Sequence, residues 1–187
     1  KLIRINKDGS VPADNPFVGL AGALPDIWTF GHRNPQGLAM NPRDGSLYET
    51  EHGPRGGDEL NLILPGRNYG WPVVTYGMNY DGTPMVAETE KEGIERPLTY
   101  WVPSIAVCGL DFYSGEKFPQ WENDLLAGAL AQQEVRRIRL VDRKVFEQEV
   151  ILKNIGRVRD VAAGPDGLVY VVLNKPDRIV RLVSADK

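Results

Sequence analysis

Short apolar runs rich in Val, Ile, Leu and Tyr recur along the chain, and each is cut off by a turn built of Gly, Pro, Asp or Asn. Such runs predict β-strands, because branched and aromatic side chains fill a pleated surface while Gly and Pro end it. One phrase returns in three places. It reads GLAMNPRDGSLYETEHG then DELNLI from Gly37, GLDFYSGEKFPQWENDLLAGAL then VRRIRL from Gly109, and DVAAGPDGLVYVVLNKPDRIVRLV from Asp160. Each copy predicts a small-residue strand, an acidic or Pro-containing turn, a second strand, a polar loop and a third strand. Repeats of about 40 to 50 residues with this content predict propeller blades. The expected fold is therefore all-β, with residues 1–187 forming about three blades of a six-bladed β-propeller and an insertion over about 68–100. A β-sandwich is the competing architecture. The one helical turn expected lies around Phe118 to Asp124, with a loop as its alternative.

Three blades do not close a ring. The bare edges and apolar flank are expected to be covered by an N-terminal portion of the same protein or by a second copy of the chain. The net charge of −3, with both signs interspersed, offers no basic stripe, so nucleic acid and a membrane surface are not expected partners. No apolar run approaches the roughly 18 residues of a membrane helix, and the opening KLIRINKDGS reads as a strand and turn rather than a signal peptide. A lone Cys108 allows no internal disulfide.

In a blade the first strand is innermost and the second runs antiparallel to it, so the start of one and the end of the other emerge on the same face. That geometry brings Arg33, Asn34, Ser104, Arg157 and Arg159 to one mouth, beside the segments Glu51–Glu59 and Ala131–Gln133. Guanidinium forks bind carboxylates bidentately, so a small planar acid is the expected ligand. The plainer alternative is surface ion pairing of Arg157 and Arg159 with Asp160. The stretch GPRGGDELN predicts an oxygen site for a hard cation such as calcium, with Asp58 and Glu59 supplying charge, or else a solvated acidic turn. His32 and His52 fall near the mouth, where an imidazole could serve as a base, but a structural role is the expectation for each. Ser104 and Cys108 have no convincing His and Asp partners for a hydrolytic triad.

The runs GHRNPQGLAMNP and EHGPRGGDELNLILPGRNYGWP resemble the signature of the soluble pyrroloquinoline quinone (PQQ)-dependent aldose sugar dehydrogenases. So do YWVPSIAVCGLDFYSGEKFPQW, DLLAGAL and GRVRDVAAGPDGLVYVV, and the likeness runs nearly end to end. The resemblance implies the C-terminal half of a six-bladed propeller that, with PQQ and calcium, oxidises an aldose at C1 to the lactone. It also implies a periplasmic or secreted protein. Carried over by position, it implies that Arg33, Asn34 and Ser104 contact PQQ and that Arg157 and Arg159 bind its carboxylates. The carbonyls of Gly53 and Pro54 would ligate the cofactor calcium, and Glu59 with the backbone of Tyr69 would hold a second ion. Two departures stand out. Ala131 occupies the position of the family's quinone-binding lysine, which bears on cofactor affinity and identity. The family's catalytic His-Asp pair belongs to earlier blades, so no catalytic residue is expected in this chain. A non-catalytic module binding carbohydrate or protein, and an inactive truncated product, are the alternatives.

Overall fold

The computed structural model describes residues 1–184. Its strands form four antiparallel sheets, an arrangement consistent with a partial β-propeller module. A small sheet pairs β1 (Leu2–Ile3) with β2 (Ile27–Thr29). The first full sheet runs in the order β3 (Pro35–Met40), β4 (Leu47–Glu51), β5 (Asp58–Ile63) and β6 (Thr99–Trp101). The next runs β7 (Val107–Phe112), β8 (Leu125–Ala129), β9 (Glu134–Val141) and β10 (Lys144–Lys153). The last holds β11 (Arg157–Ala163), β12 (Val169–Asn174) and β13 (Arg178–Leu182). The expected helical turn is a short 3-10 helix, Pro119–Trp121, with Pro in its tolerated first position.

The first strands of the three large sheets lie side by side, β7 between β3 and β11. Glycine makes the approach possible: a Cβ on Gly37 would sit 2.7 Å from the Cys108 carbonyl, and one on Gly109 would sit 2.6 Å from Asp160 Cα. This is the physical content of the repeated small residue at the head of the phrase. Hydrogen bonds then tie sheet to sheet. Thr50 Oγ1 donates to Cys108 O at 2.9 Å, Cys108 Sγ to Val158 O at 2.9 Å, and Ala163 N to Asp111 Oδ2 at 2.9 Å. Gly109 against Asp160 and Asp111 against Ala163 mean that β7 and β11 run in the same direction, with their starts at one end.

Burial follows from this radial order. In the middle sheet β8 is buried at every position, whereas β10 is exposed or half-exposed throughout. The outer flanks of the array are different. Leu38, Met40, Ile3 and Ile5 are each more than half exposed and border a cleft of about 680 Å³ beside the first large sheet. An apolar surface of this kind marks a face built to be covered.

The middle and last sheets are joined by Tyr113, whose hydroxyl donates to Gly167 O at 2.6 Å and accepts from Phe118 N at 3.0 Å. Tyr113→Phe leaves the buried Phe118 N–H and the half-buried Gly167 carbonyl without this partner, and is expected to cost about 1–3 kcal/mol in chemical denaturation. A loss within error would mean that water replaces the hydroxyl.

Candidate cofactor and metal site

All three innermost strands carry an irregularity near their common end. The register shifts between Pro35 and Gly37, between Val107 and Leu110, and between Val158 and Asp160. Bulges re-aim side chains beside functional sites. Arg159 is itself the residue skipped by the pairing, while Arg157 pairs with Asn174. Both arginines lie within β11, which begins ahead of Asp160, where the repeated phrase starts. Arg159 is exposed and Arg157 half-exposed, both at the start of β11.

Arg33 and Asn34 precede β3 and are fixed by Glu51, whose Oε2 accepts from Arg33 N at 2.6 Å and Asn34 N at 3.3 Å. The Arg33 guanidinium donates to His52 O at 3.1 Å, lies 5.3 Å over the Trp71 ring and reaches the Tyr80 hydroxyl at 3.4 Å. Its Nε is buried without a partner. Trp71 and Tyr80 belong to the insertion, so this long segment shapes the mouth and holds the arginine ready. Ser104 precedes β7 and donates its proton to Asp58, 2.8 Å from each carboxylate oxygen. Ala131, exposed, follows β8, with its N–H on Ile105 O at 3.0 Å.

Beside these groups lies a buried set of acids. Cross-strand register places Glu49 opposite Asn61 and Glu51 opposite Glu59 on β4 and β5. Asn61 Nδ2 reaches all three carboxylates, at 3.1 Å from Glu49, 3.3 Å from Glu51 and 3.3 Å from Glu59. His32 closes the group, with Nδ1 at 3.3 Å from Glu51 and 3.9 Å from Glu49. Its Nε2 lies 2.9 Å from Thr29 Oγ1, and its ring stacks on Tyr69. Both ring nitrogens are thus engaged, as expected of a structural histidine. His52 supports the mouth through its backbone, its N–H donating to Asn34 O. Burial, then the charge of Glu51, pushes Glu59 up to about 8 and raises Glu49 well above the usual carboxylate range.

Like charges facing each other on a buried strand pair are destabilising unless a cation joins them. Glu49 Oε1 is buried with no partner, and His32, Glu49 and Glu51 offer ligand atoms within 4.8 Å of one another. A neighbouring small cavity is lined by Glu51, Gly53, Glu59 and Tyr69 together with Arg33. Oxygen donors of this kind fit calcium. Gly53 is buried, and a Cβ there would strike the carbonyl oxygens of Gly56 and Gly57, so only glycine lets this loop fold back on itself. Pro54 faces the adjoining groove, with Ser104 and Tyr80. Glu59 and Tyr69 thus share a cavity with Gly53, which the resemblance had assigned to a different ion from theirs, while Asp58 turns to the opposite face of β5, bonds to Ser104 and leaves the acid set. Sequence reasoning missed Glu49 and Asn61, and set Glu51 at the mouth without a role. The spacing E-x-E on one strand and E-x-N on the next was the available signal. Cys108 is buried and its thiol is pushed up to about 12 by that burial, which removes it as a nucleophile.

Antiparallel sheets whose innermost strands lie side by side, with a buried His-Glu group beside Arg33, are consistent with a partial propeller module and with a cofactor- or metal-binding role. The sequence matches the family model for Glucose / Sorbosone dehydrogenase over residues 1–181, and the chain belongs to that family. It is 47% identical to the aldose sugar dehydrogenase YliI of Escherichia coli over 179 residues, which are 94% of this chain and 48% of that protein. A crystal structure of a glucose dehydrogenase superposes with a TM-score of 0.94 at 48% identity, covering 100% of this chain and 55% of the other. The PQQ-bound aldose sugar dehydrogenase of Streptomyces coelicolor superposes with a TM-score of 0.75 at 27% identity, covering 98% and 51%. The chain spans about half the length of these proteins.

Proposed function

We propose that residues 1–187 are the C-terminal half of a single six-bladed propeller that oxidises aldose sugars at C1 to lactones with PQQ and calcium, and that they supply its cofactor and calcium ligands. The observation that carries this reading is the placing of Arg33 beside a buried group of carboxylates, at the end of the innermost strand β3. Arg33, Asn34 and Ser104 would hold one side of PQQ, and Arg157 and Arg159 its carboxylates. The carbonyls of Gly53 and Pro54 would hold the cofactor calcium, and Glu59 with the Tyr69 backbone the second ion. When bound, PQQ with calcium supplies a polarised two-electron acceptor for the hydride leaving C1.

The protein's own work is binding and orientation. Trp71 and His52 hold Arg33 within the protein, and a restrained arginine loses less entropy on binding. The base that takes the sugar's hydroxyl proton belongs to the blades outside this chain. Those blades, or a second copy, cover the apolar flank at Leu38 and Met40. The same reading puts the protein in the periplasm or outside the cell. Ala131 favours a second reading, a non-catalytic module that binds carbohydrate or protein at this mouth, or an inactive truncated product.

Titration with PQQ in calcium separates the two, because Trp71 packs on Arg33 and reports on the site. Saturable quenching of tryptophan fluorescence, without dye-linked aldose oxidation by the 187 residues alone, is the expected result. Absence of quenching moves the assignment to the non-catalytic module. Aldose turnover by this chain would contradict the placing of the base elsewhere.

A further inference from the structure

We propose that Asp58 is a positioning residue that aims Arg33 and Ser104, from two different sheets, at one ligand; the ligand's identity rests on the reading above. Asp58 is fully buried at the start of β5. Its Oδ1 accepts from Gly53 N at 3.1 Å and its Oδ2 from Val107 N at 3.2 Å, while the Ser104 hydroxyl lies 2.8 Å from both oxygens. Gly53 belongs to the loop after β4, whereas Ser104 and Val107 lead into the next sheet. One carboxylate thus pins two neighbouring sheets at the mouth.

The two arms run further. The peptide that gives its N–H to Asp58 is His52–Gly53, and its carbonyl accepts from the Arg33 guanidinium at 3.1 Å. A charged acceptor on one side of a peptide strengthens the carbonyl on the other, so Asp58 orients Arg33 through a single amide plane. On the other arm Ser104 Oγ accepts from Ala106 N at 3.1 Å, and Ala106, at φ 53°, takes Leu130 N on its carbonyl at 2.9 Å. The turn that presents Ser104 and the segment ending in Ala131 are therefore set by the same carboxylate. Because Ser104 gives its only proton to Asp58, it can meet a ligand solely as an acceptor. Gly53 also carries the carbonyl assigned to the metal, so Asp58 makes metal and cofactor binding depend on each other.

Asp58→Asn tests this, since an amide has one acceptor oxygen and must leave either the Gly53 or the Val107 N–H facing an NH₂. In the full chain, calorimetric titration well below the melting temperature is expected to show PQQ and calcium each bound on the order of 10–100-fold more weakly, the usual effect of losing a partner that orients ligands. A folded variant with wild-type affinity for both overturns the proposal. Ser104→Ala provides the second measurement, by hydrogen exchange of the Gly53 amide. Faster exchange supports the proposal, because Asp58 has lost a restraint, and unchanged exchange overturns it; this decides the matter if Asp58→Asn does not fold. If the unaltered chain binds neither PQQ nor calcium, the functional reading fails, and the exchange comparison still judges the positioning role.

Discussion

Gly109→Ala is expected to lower the melting temperature by about 6–12 °C, because a loss of about 3 kcal/mol or more shifts a domain of this size by about 2–4 °C per kcal/mol. The cause is geometric. A Cβ at Gly109 would lie 2.6 Å from Asp160 Cα and would collide with that residue's carboxylate. A side chain can rotate away, but the Asp160 backbone is fixed by β12, where Asp160 pairs with Val172. The collision therefore pushes neighbouring sheets apart and opens the contacts of Val158 and Val161, both buried in the core with Tyr113 and Phe118. Gly93→Ala is the matched control. Nothing lies within 4 Å of its missing Cβ, and with φ at +80° it should cost only the left-handed penalty of roughly 1–2 kcal/mol. Equal melting temperatures for the two variants would show that the innermost strands are not packed as described.

That close approach explains why the sheet array was readable in the sequence. The repeated phrases at Gly37 and Gly109 begin with the residue that close approach of neighbouring sheets demands, and the turns that follow separate a first strand from a second. The fourth strands were not readable. Thr99–Trp101 is three residues long and stands behind a long insertion, and Lys144–Lys153 carries charge at many positions because it is an outer edge. Neither has the apolar signature of a strand buried on both faces. The same limit applies to the site. Arginine forks and a glycine-rich acidic loop have compositional signals, whereas the bulges that aim Arg159 depend on pairing register, which no local pattern encodes. Asp58 read as a charge near a metal because it adjoins Glu59. Alternation along β5 sends the two carboxylates to opposite faces, one to the acid group and one to Ser104.

Removing calcium should make the chain less stable as pH rises, reversing the usual behaviour of a protein held by ionised acids. The folded, metal-free state raises Glu59 from 4.5 to about 8, first by burial and then by the charge of Glu51, and raises Glu49 in the same direction. A raised acid holds its proton in the folded state after the unfolded chain has released it. Its contribution is therefore complete below about 4.5 and is lost as pH climbs through about 8. On the proposed reading calcium would take the place of those protons and bind the ionised carboxylates, so its affinity should increase over the same interval. At about 100 times its Kd an ion that binds only the folded state adds about 2.7 kcal/mol, which for this size corresponds to about 5–10 °C. The expected melting curves thus diverge: in chelator the temperature falls from pH about 5 to about 8, and in calcium the fall is offset. Glu59→Gln should narrow the gap between the two curves, since glutamine still accepts from Asn61 but neither titrates nor adds charge to the face shared with Glu51. A calcium increment that survives in Glu59→Gln would assign the ion to ligands other than this carboxylate, and parallel curves at all pH values would mean that the buried acids hold no ion.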